Sequence, residues 1–198
     1  IREIHHRVKN NLQTVAALLR LQSRRMSNSD AKDALKQAMG RVSAIAVVHE
    51  ILSQNFEEQV AFDEVADRIL HMVGDVAASS GSVVARREGS FGEVPAETAT
   101  ALSLATTELC QNAIEHSLDS SSGNVIVRPH RTDDALVVDI VSDGKPLPEG
   151  FSLDNHRSSL GLSIVTTLMQ DLGGTFTLED NSDRVGTCAR LVIPLQRL

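Results

Sequence analysis

The chain has 198 residues, 41% of them hydrophobic and 23% charged, with a formal net charge of -7; this is the balance of a folded chain, with room for two small domains or for one domain and a smaller module. Aromatic residues amount to 3%, with no Trp and no Tyr, so the core is aliphatic and the ring surfaces on which single-stranded nucleic acids stack are not expected. The acidic balance also disfavours direct nucleic-acid and membrane-surface binding, and no apolar run approaches the ~20 residues that span a bilayer.

Residues 1–27 contain neither Gly nor Pro and set Ile4, Val8, Leu12, Val15 and Leu19 at helical spacing, which predicts a long amphipathic helix. The stretch Ser27-Asn28-Ser29-Asp30 interrupts it, with Ser29 or Asp30 as the expected N-cap of a second helix. That helix carries Leu35, Met39, Val42, Ile45, Val48 and Leu52 close to a seven-residue repeat. A lone helical hairpin buries too little apolar surface, so a homodimer closing a four-helix bundle is expected.

From Val60 onward the pattern becomes α+β. A helix is expected over 62–78, a strand over 82–87 and a second helix over 96–117 behind Pro95. Strands over 124–130 and 135–141 flank the polar turn Thr132-Asp133-Asp134, and residues 143–160 read as a long Gly-, Pro- and Ser-rich loop. A helix over 160–172, the Gly173-Gly174 break and strands over 175–179 and 187–193 complete an α/β sandwich. The expected division is a helical hairpin over 1–57 and a second domain over 58–198. The two cysteines, Cys110 and Cys188, match no CxxC spacing and read as structural thiols of a reduced, cytoplasmic setting.

Four segments carry chemistry. In Glu3-Ile4-His5-His6-Arg7, His6 lies about 180° from the apolar seam and His5 about 80° from it. His6 is therefore expected to face solvent, where an ordinary imidazole is largely neutral and nucleophilic near pH 7. Further on, Glu108, Asn112 and Glu115 share one face at i, i+4, i+7 spacing. The amide oxygen of Asn112 suits Mg²⁺, which takes few protein ligands and keeps several waters; Glu108 suits one such water, and His116 a phosphate. Ser142-Asp143-Gly144 ends a strand, and a carboxylate there accepts from an exocyclic amine such as adenine N6. Gly161 and Leu162 open a helix whose free N–H groups suit a phosphate, and Gly186-Thr187 precedes the last strand. Singly, each of these is also an ordinary helix face or turn.

Their order is specific. A histidine-bearing hairpin, Glu-x-x-x-Asn on a helix, Asp-Gly after a strand, Gly opening a helix and Gly-Thr before the last strand resemble a histidine kinase. In that family a dimerisation and histidine-phosphotransfer hairpin precedes a Bergerat-type ATP-binding domain. The stretches EIHHRVKNNLQ and Val48-His49-Glu50-Ile51-Leu52 are similar to the HWE-like subfamily, with His-Arg at the phosphoacceptor. The resemblance implies an ATP- and Mg²⁺-dependent enzyme that phosphorylates its own histidine. It then passes the phosphoryl group to an aspartate on a response-regulator receiver domain, with a sensor region N-terminal to this stretch. By position it implies His6 as phosphoacceptor, Asn10 as the residue linked to phosphatase activity and Asn112 as the Mg²⁺ ligand beside Glu108. His116, Gly144, Gly161, Leu162, Gly186 and Thr187 fall in the ATP site, and residues 145–160 in a lid.

The chain departs from that pattern in three places. Arg7 stands where an acidic base usually follows the histidine, and Ser159 where a first glycine is usual. In the Asp-x-Gly-x-Gly box, counting back from Leu147-Pro148 puts Ser142 at the aspartate and Pro146 at the second glycine. Counting forward from the Asp-Gly chemistry makes Asp143 the adenine acceptor, and its carboxylate favours that reading. Two rival functions follow from the same residues: an ATPase in which Glu108 activates water, and a dimeric binding module that has lost its nucleotide.

Overall fold

The computed structural model describes residues 2–25, 27–54, 59–78, 82–118, 122–153, 160–182 and 185–195; for residues 2–6, 53, 54, 76 and 78 it describes the backbone alone. Two long helices, α1 (Arg2–Arg25) and α2 (Ser29–Gln54), run antiparallel. The turn between them is capped by Asn28 rather than by Ser29 or Asp30. Its Oδ1 accepts from the backbone N–H groups of Asp30 at 2.9 Å and Ala31 at 3.2 Å, which satisfies donors that the first turn leaves free. Val8, Leu12 and Leu19 are half-buried against α2, whereas Val15, Leu18 and Leu21 remain exposed on an adjoining flank.

The rest of the chain is a sheet covered on one face by helices. Strands β2 (Val83–Arg87), β4 (Gly123–Arg131), β5 (Ala135–Ser142), β6 (Thr175–Asp180) and β7 (Thr187–Pro194) stand in the order β2-β4-β5-β7-β6. Among the described residues only β2 and β4 pair parallel. Strict alternation sends Val125, Val127, Leu136, Val138, Ile140, Ala189, Leu191 and Ile193 inward. Helices α3 (Phe62–Ala78), α4 (Ala96–Asn112) and α5 (Leu160–Asp171) pack on that face. The other face is polar and carries surface ion pairs such as Arg190–Asp139 at 2.6 Å and Arg128–Glu88 at 2.9 Å.

Two features escape the sequence pattern. Strands β1 (Gln59–Ala61) and β3 (Glu93–Pro95) form a small second sheet at the start of α3, and three residues are too few to show a period. Helix α4 passes directly into a π-helical turn over Ala113–Ser117, which shifts the phase of everything after Asn112.

The hairpin is not a separate body. Ala44, Val48, Ile51 and Leu52 of α2 belong to one hydrophobic cluster with Val65 and Ile69 of α3 and Leu102 and Ala105 of α4. The boundary expected between residues 57 and 58 falls within 55–58, outside the described residues. Cys110 is buried in this cluster, where desolvation pushes its thiol up to about 12, a structural and unreactive state. No helix among the described residues is long and apolar enough to cross a membrane.

Candidate functional site

Between α4, β5, α5 and the loop after β5 lies a cavity of about 460 Å³. Leu109 and Ala113 of α4, Ile140 of β5, Leu162 of α5, Leu178 of β6 and Ala189 of β7 give it apolar walls. Asn112, His116, Ser117, Lys145 and Thr187 supply its polar groups. A narrow apolar slot with few convergent polar groups suits a planar ligand carrying a charged tail.

The expected stripe Glu108–Asn112–Glu115 divides. Residues 112 and 116 line the cavity with 109 and 113, whereas 108, 111 and 115 do not, although 112 stands only about 40° round the helix from 108. Glu108 does not line the cavity. Its carboxylate is 4% exposed and accepts from both Nε and Nη2 of Arg41 on α2, the second bond being 3.1 Å. The hydrogen bond to Glu108 is the largest effect on Arg41 and raises its pKa above the ordinary guanidinium value against the cost of burial. The place expected for Glu108 beside a metal-bound water is therefore corrected: one helical turn separates it from Asn112, but its carboxylate is turned toward the hairpin.

Strand alternation also decides between Ser142 and Asp143, because adjacent residues of β5 point to opposite faces. Ser142 points inward and is 1% exposed. Asp143 points outward, and its carboxylate accepts from the backbone N–H of Asn124 at 2.7 Å and from Asn124 Nδ2 at 2.6 Å. The expectation that Asp143 faces an adenine amine is corrected accordingly, since its side chain stands on the far side of the sheet from the cavity.

Behind the cavity wall Ser142 forms a hydroxyl chain. Ser117 Oγ donates to the Lys145 carbonyl at 3.0 Å and lies 2.7 Å from Ser142 Oγ, which lies 2.9 Å from Thr187 Oγ1. Each hydroxyl has a single proton. A carbonyl only accepts, so Ser117 gives its proton to Lys145, Ser142 gives its own to Ser117, and Thr187 gives its own to Ser142. The chain runs one way, and it leaves Thr187 Oγ1 with lone pairs and no proton on the cavity side. Thr187 Oγ1 can therefore accept a hydrogen bond there, as a carboxylate oxygen would, but without its charge.

Two glycines are required by this packing. A Cβ on Gly144 would collide with the Ser117 carbonyl. Gly186 has φ of 134°, and a Cβ there would strike the Ser142 carbonyl. Gly161 and Leu162 form the first turn of α5; Leu162 reaches the cavity and Gly161 is buried behind it. Residues 154–159, including Ser159 and much of the expected lid, lie outside the described residues.

The hairpin residues sit apart from the cavity. Asn10 is exposed on α1. His6 falls in the same helix, and its side chain, with that of His5, lies outside what is described. Ser117 was not anticipated, and Lys145 was expected only as the start of the lid. Ser117 ends the π-helical turn after α4, yet its hydroxyl partners, Ser142 and the Lys145 carbonyl, come from 25 and 28 residues away, distances that no local pattern signals. Among the described residues no group of three or more His, Cys, Asp or Glu side chains could hold a metal. Asn112 is the amide on the cavity, and its Nδ2 is buried without a hydrogen-bond partner among the described residues. A single amide fits Mg²⁺, which binds through one or two protein groups and substrate phosphates.

Residues 3–77 match the histidine kinase family and residues 97–197 the family of histidine kinase-, DNA gyrase B- and HSP90-like ATPases. The chain is 49% identical over 200 residues to the sensor histidine kinase PdtaS of Mycobacterium tuberculosis, covering 100% of this chain and 40% of that protein. It is 27% identical over 207 residues to blue-light-activated histidine kinase 2 of Erythrobacter litoralis, covering 98% of this chain and 57% of that protein. The solved histidine kinase domain of Erythrobacter litoralis EL346 superposes with a TM-score of 0.69 at 25% identity, over 98% of this chain and 89% of that one. The catalytic domain of the histidine kinase ThkA has the same fold, with a TM-score of 0.56 at 21% identity over 69% of this chain and 93% of its own. The chain spans about 40% of the length of the mycobacterial relatives it matches. With its hairpin and its ATPase fold in that order, the chain belongs to the histidine kinases.

Proposed function

We propose that this chain binds ATP in the α4–β5–α5 cavity and moves its γ-phosphoryl group onto His6. The observation that carries the reading is the cavity itself: apolar walls for a base, a proton-poor Thr187 hydroxyl to receive its amine, and Asn112 and His116 among its polar groups. A ring nitrogen of His6 attacks the γ-phosphorus as the bond to the β-phosphate oxygen breaks, and ADP leaves. Phosphoryl transfer asks the protein mainly for positioning and charge neutralisation. Mg²⁺ would neutralise phosphate charge, with Asn112 as its protein ligand; Gly161 and Leu162 would offer backbone N–H groups at the start of α5.

The mechanism requires residues 1–57 to act as the dimerisation and phosphotransfer hairpin and 58–198 as the ATP-binding part. Asn10, one turn after His6 and about 40° round α1 from it, would orient a water for the dephosphorylating activity, a hydrolysis that releases phosphate. The onward acceptor is an aspartate of a response-regulator receiver domain, and the sensor region belongs to the longer protein. The rival ATPase reading needs a free Glu108 carboxylate, and both of its oxygens are held by Arg41.

Incubation with γ-labelled ATP and Mg²⁺ is expected to give acid-labile label on the chain, and chelation of the metal to remove it. Asn112→Ala should lower labelling at least a hundredfold while the circular dichroism and melting of the protein stay those of the wild type. Undiminished labelling of a folded Asn112→Ala protein excludes the metal assignment.

A further inference from the structure

Ser117, Ser142 and Thr187 come from three separate elements: the π-helical turn after α4, the end of β5 and the start of β7. All three are buried. Gly144 and Gly186 close over them, and a Cβ on either would run into the Ser117 or the Ser142 carbonyl. A relay this enclosed draws its protons from its own members, so the direction of each hydrogen bond can be counted. Ser142 Oγ also accepts from the backbone N–H of Thr187 at 3.3 Å. With the Thr187 hydroxyl as second donor both of its lone pairs are filled, and its own proton goes to Ser117 at 2.7 Å.

One atom fixes that direction. The Lys145 carbonyl lies 3.0 Å from Ser117 Oγ and has no proton to give. In a reversed relay Ser117 would turn its proton to Ser142, and two bare oxygens would face each other in a buried site. A packed polar network avoids such a pair, because neither acceptor has water to turn to. The reversed relay would also point the Thr187 proton into the cavity. Thr187 is thus held as an acceptor by a carbonyl that stands two hydroxyls behind it.

Base selection follows from that direction. Adenine carries an amine at C6, which donates; guanine and hypoxanthine carry a carbonyl there, which accepts. A fixed acceptor pairs with the first and is left facing a second acceptor by the others, and mispaired buried polar groups reject a ligand far more strongly than a lost methylene does. We infer that Ser117 is a positioning residue for base selectivity: it fixes the relay that keeps Thr187 an acceptor, so that the site admits 6-aminopurine nucleotides and rejects 6-oxopurine ones. This rests on the placement of ATP in the α4–β5–α5 cavity given above. In Ser117→Ala the Ser142 proton loses its acceptor and turns to Thr187, whose own proton then reaches the base. The loop after β5 stays anchored, because the Lys145 backbone N–H donates to the Ser117 carbonyl at 2.7 Å whatever the side chain.

The test is a displacement titration, in which ATP or inosine triphosphate displaces a ribose-labelled fluorescent ATP from the full chain. The two competitors differ only at C6 and in the proton on N1, so their ratio reads the hydrogen bond at that edge. Wild-type protein should prefer ATP at least about thirtyfold. Ser117→Ala should bind inosine triphosphate about tenfold more tightly than wild type does, and ATP about threefold more weakly. A merely structural role would weaken both nucleotides together and cannot produce the gain. Should Ser117→Ala fail to fold, Ser142→Ala also frees the Thr187 proton and should show the same gain for inosine triphosphate. Wild-type protein that binds the two nucleotides alike overturns the inference, as does a folded variant whose preference is unchanged. ATP affinity undiminished in a folded Leu178→Trp protein, whose ring would occupy the cavity, strikes instead at the placement of ATP, and the role of Ser117 falls with it.

Discussion

Ser142 and Asp143 differ by one position on a strand, and that position decides their chemistry. The inward serine hands its proton to Ser117 and takes one from Thr187, which keeps Thr187 Oγ1 an acceptor on the cavity side. Removing it frees the Thr187 hydroxyl to point its proton at the base. Ser142→Ala is accordingly expected to weaken ATP binding about tenfold, or ~1.4 kcal/mol, in a displacement titration with a fluorescent nucleotide. Asp143→Asn keeps the outward hydrogen-bonding position and is expected to change affinity less than about twofold; the opposite ranking would restore Asp143 as the acceptor. The residue types at this corner were readable from the sequence, and so was the end of the strand. Which neighbour points inward depends on the register of β5 against β7, where Val141 pairs with Cys188, and a one-residue slip inverts it.

Helical and strand elements were legible wherever a long period exists. The expected span 62–78 coincides with α3, and the strands of the main sheet fall within two residues of expectation, because alternation and amphipathic spacing report burial directly. The stripe on α4 was misjudged since Glu108 and Asn112 are close in angle but face different neighbours, and the presence of Arg41 opposite Glu108 is a tertiary fact. Ion pairs at the other end of the hairpin set a pH dependence. The hydrogen bond from Lys9, with lesser help from Arg68, holds the Glu50 carboxyl below its ordinary value of 4.5. A carboxylate with a lowered folded-state pKa stabilises the fold above the unfolded value and loses that effect as pH falls through the folded one. The melting temperature of the wild type should therefore exceed that of Glu50→Gln at pH 7, and the margin should shrink as the pH drops below 4.5. A margin that persists unchanged at acid pH would remove the carboxylate from the explanation.

At the scale of the whole molecule, the described residues leave an apolar face of α1 uncovered. Val15 at 43%, Leu18 at 58% and Leu21 at 54% exposure line the flank of α1 that α2 does not cover, which is the flank a second hairpin would close into a four-helix bundle. Light scattering of the purified chain should give a dimer at micromolar concentration, and Leu18→Glu should return a folded monomer; a monomeric wild type at that concentration would leave the face without its partner. The central claim concerns a single nitrogen-bearing side chain. Helical phase separates adjacent His5 and His6 by about 100°, and on the apolar seam of the sequence we propose His6 as the acceptor. The direct measurement is acid-labile labelling from γ-labelled ATP and Mg²⁺ in His5→Gln and His6→Gln. His6→Gln should carry no acid-labile phosphate while binding ATP normally, and His5→Gln should retain label at a reduced level. Label that survives in His6→Gln and disappears in a folded, ATP-binding His5→Gln protein would contradict the account.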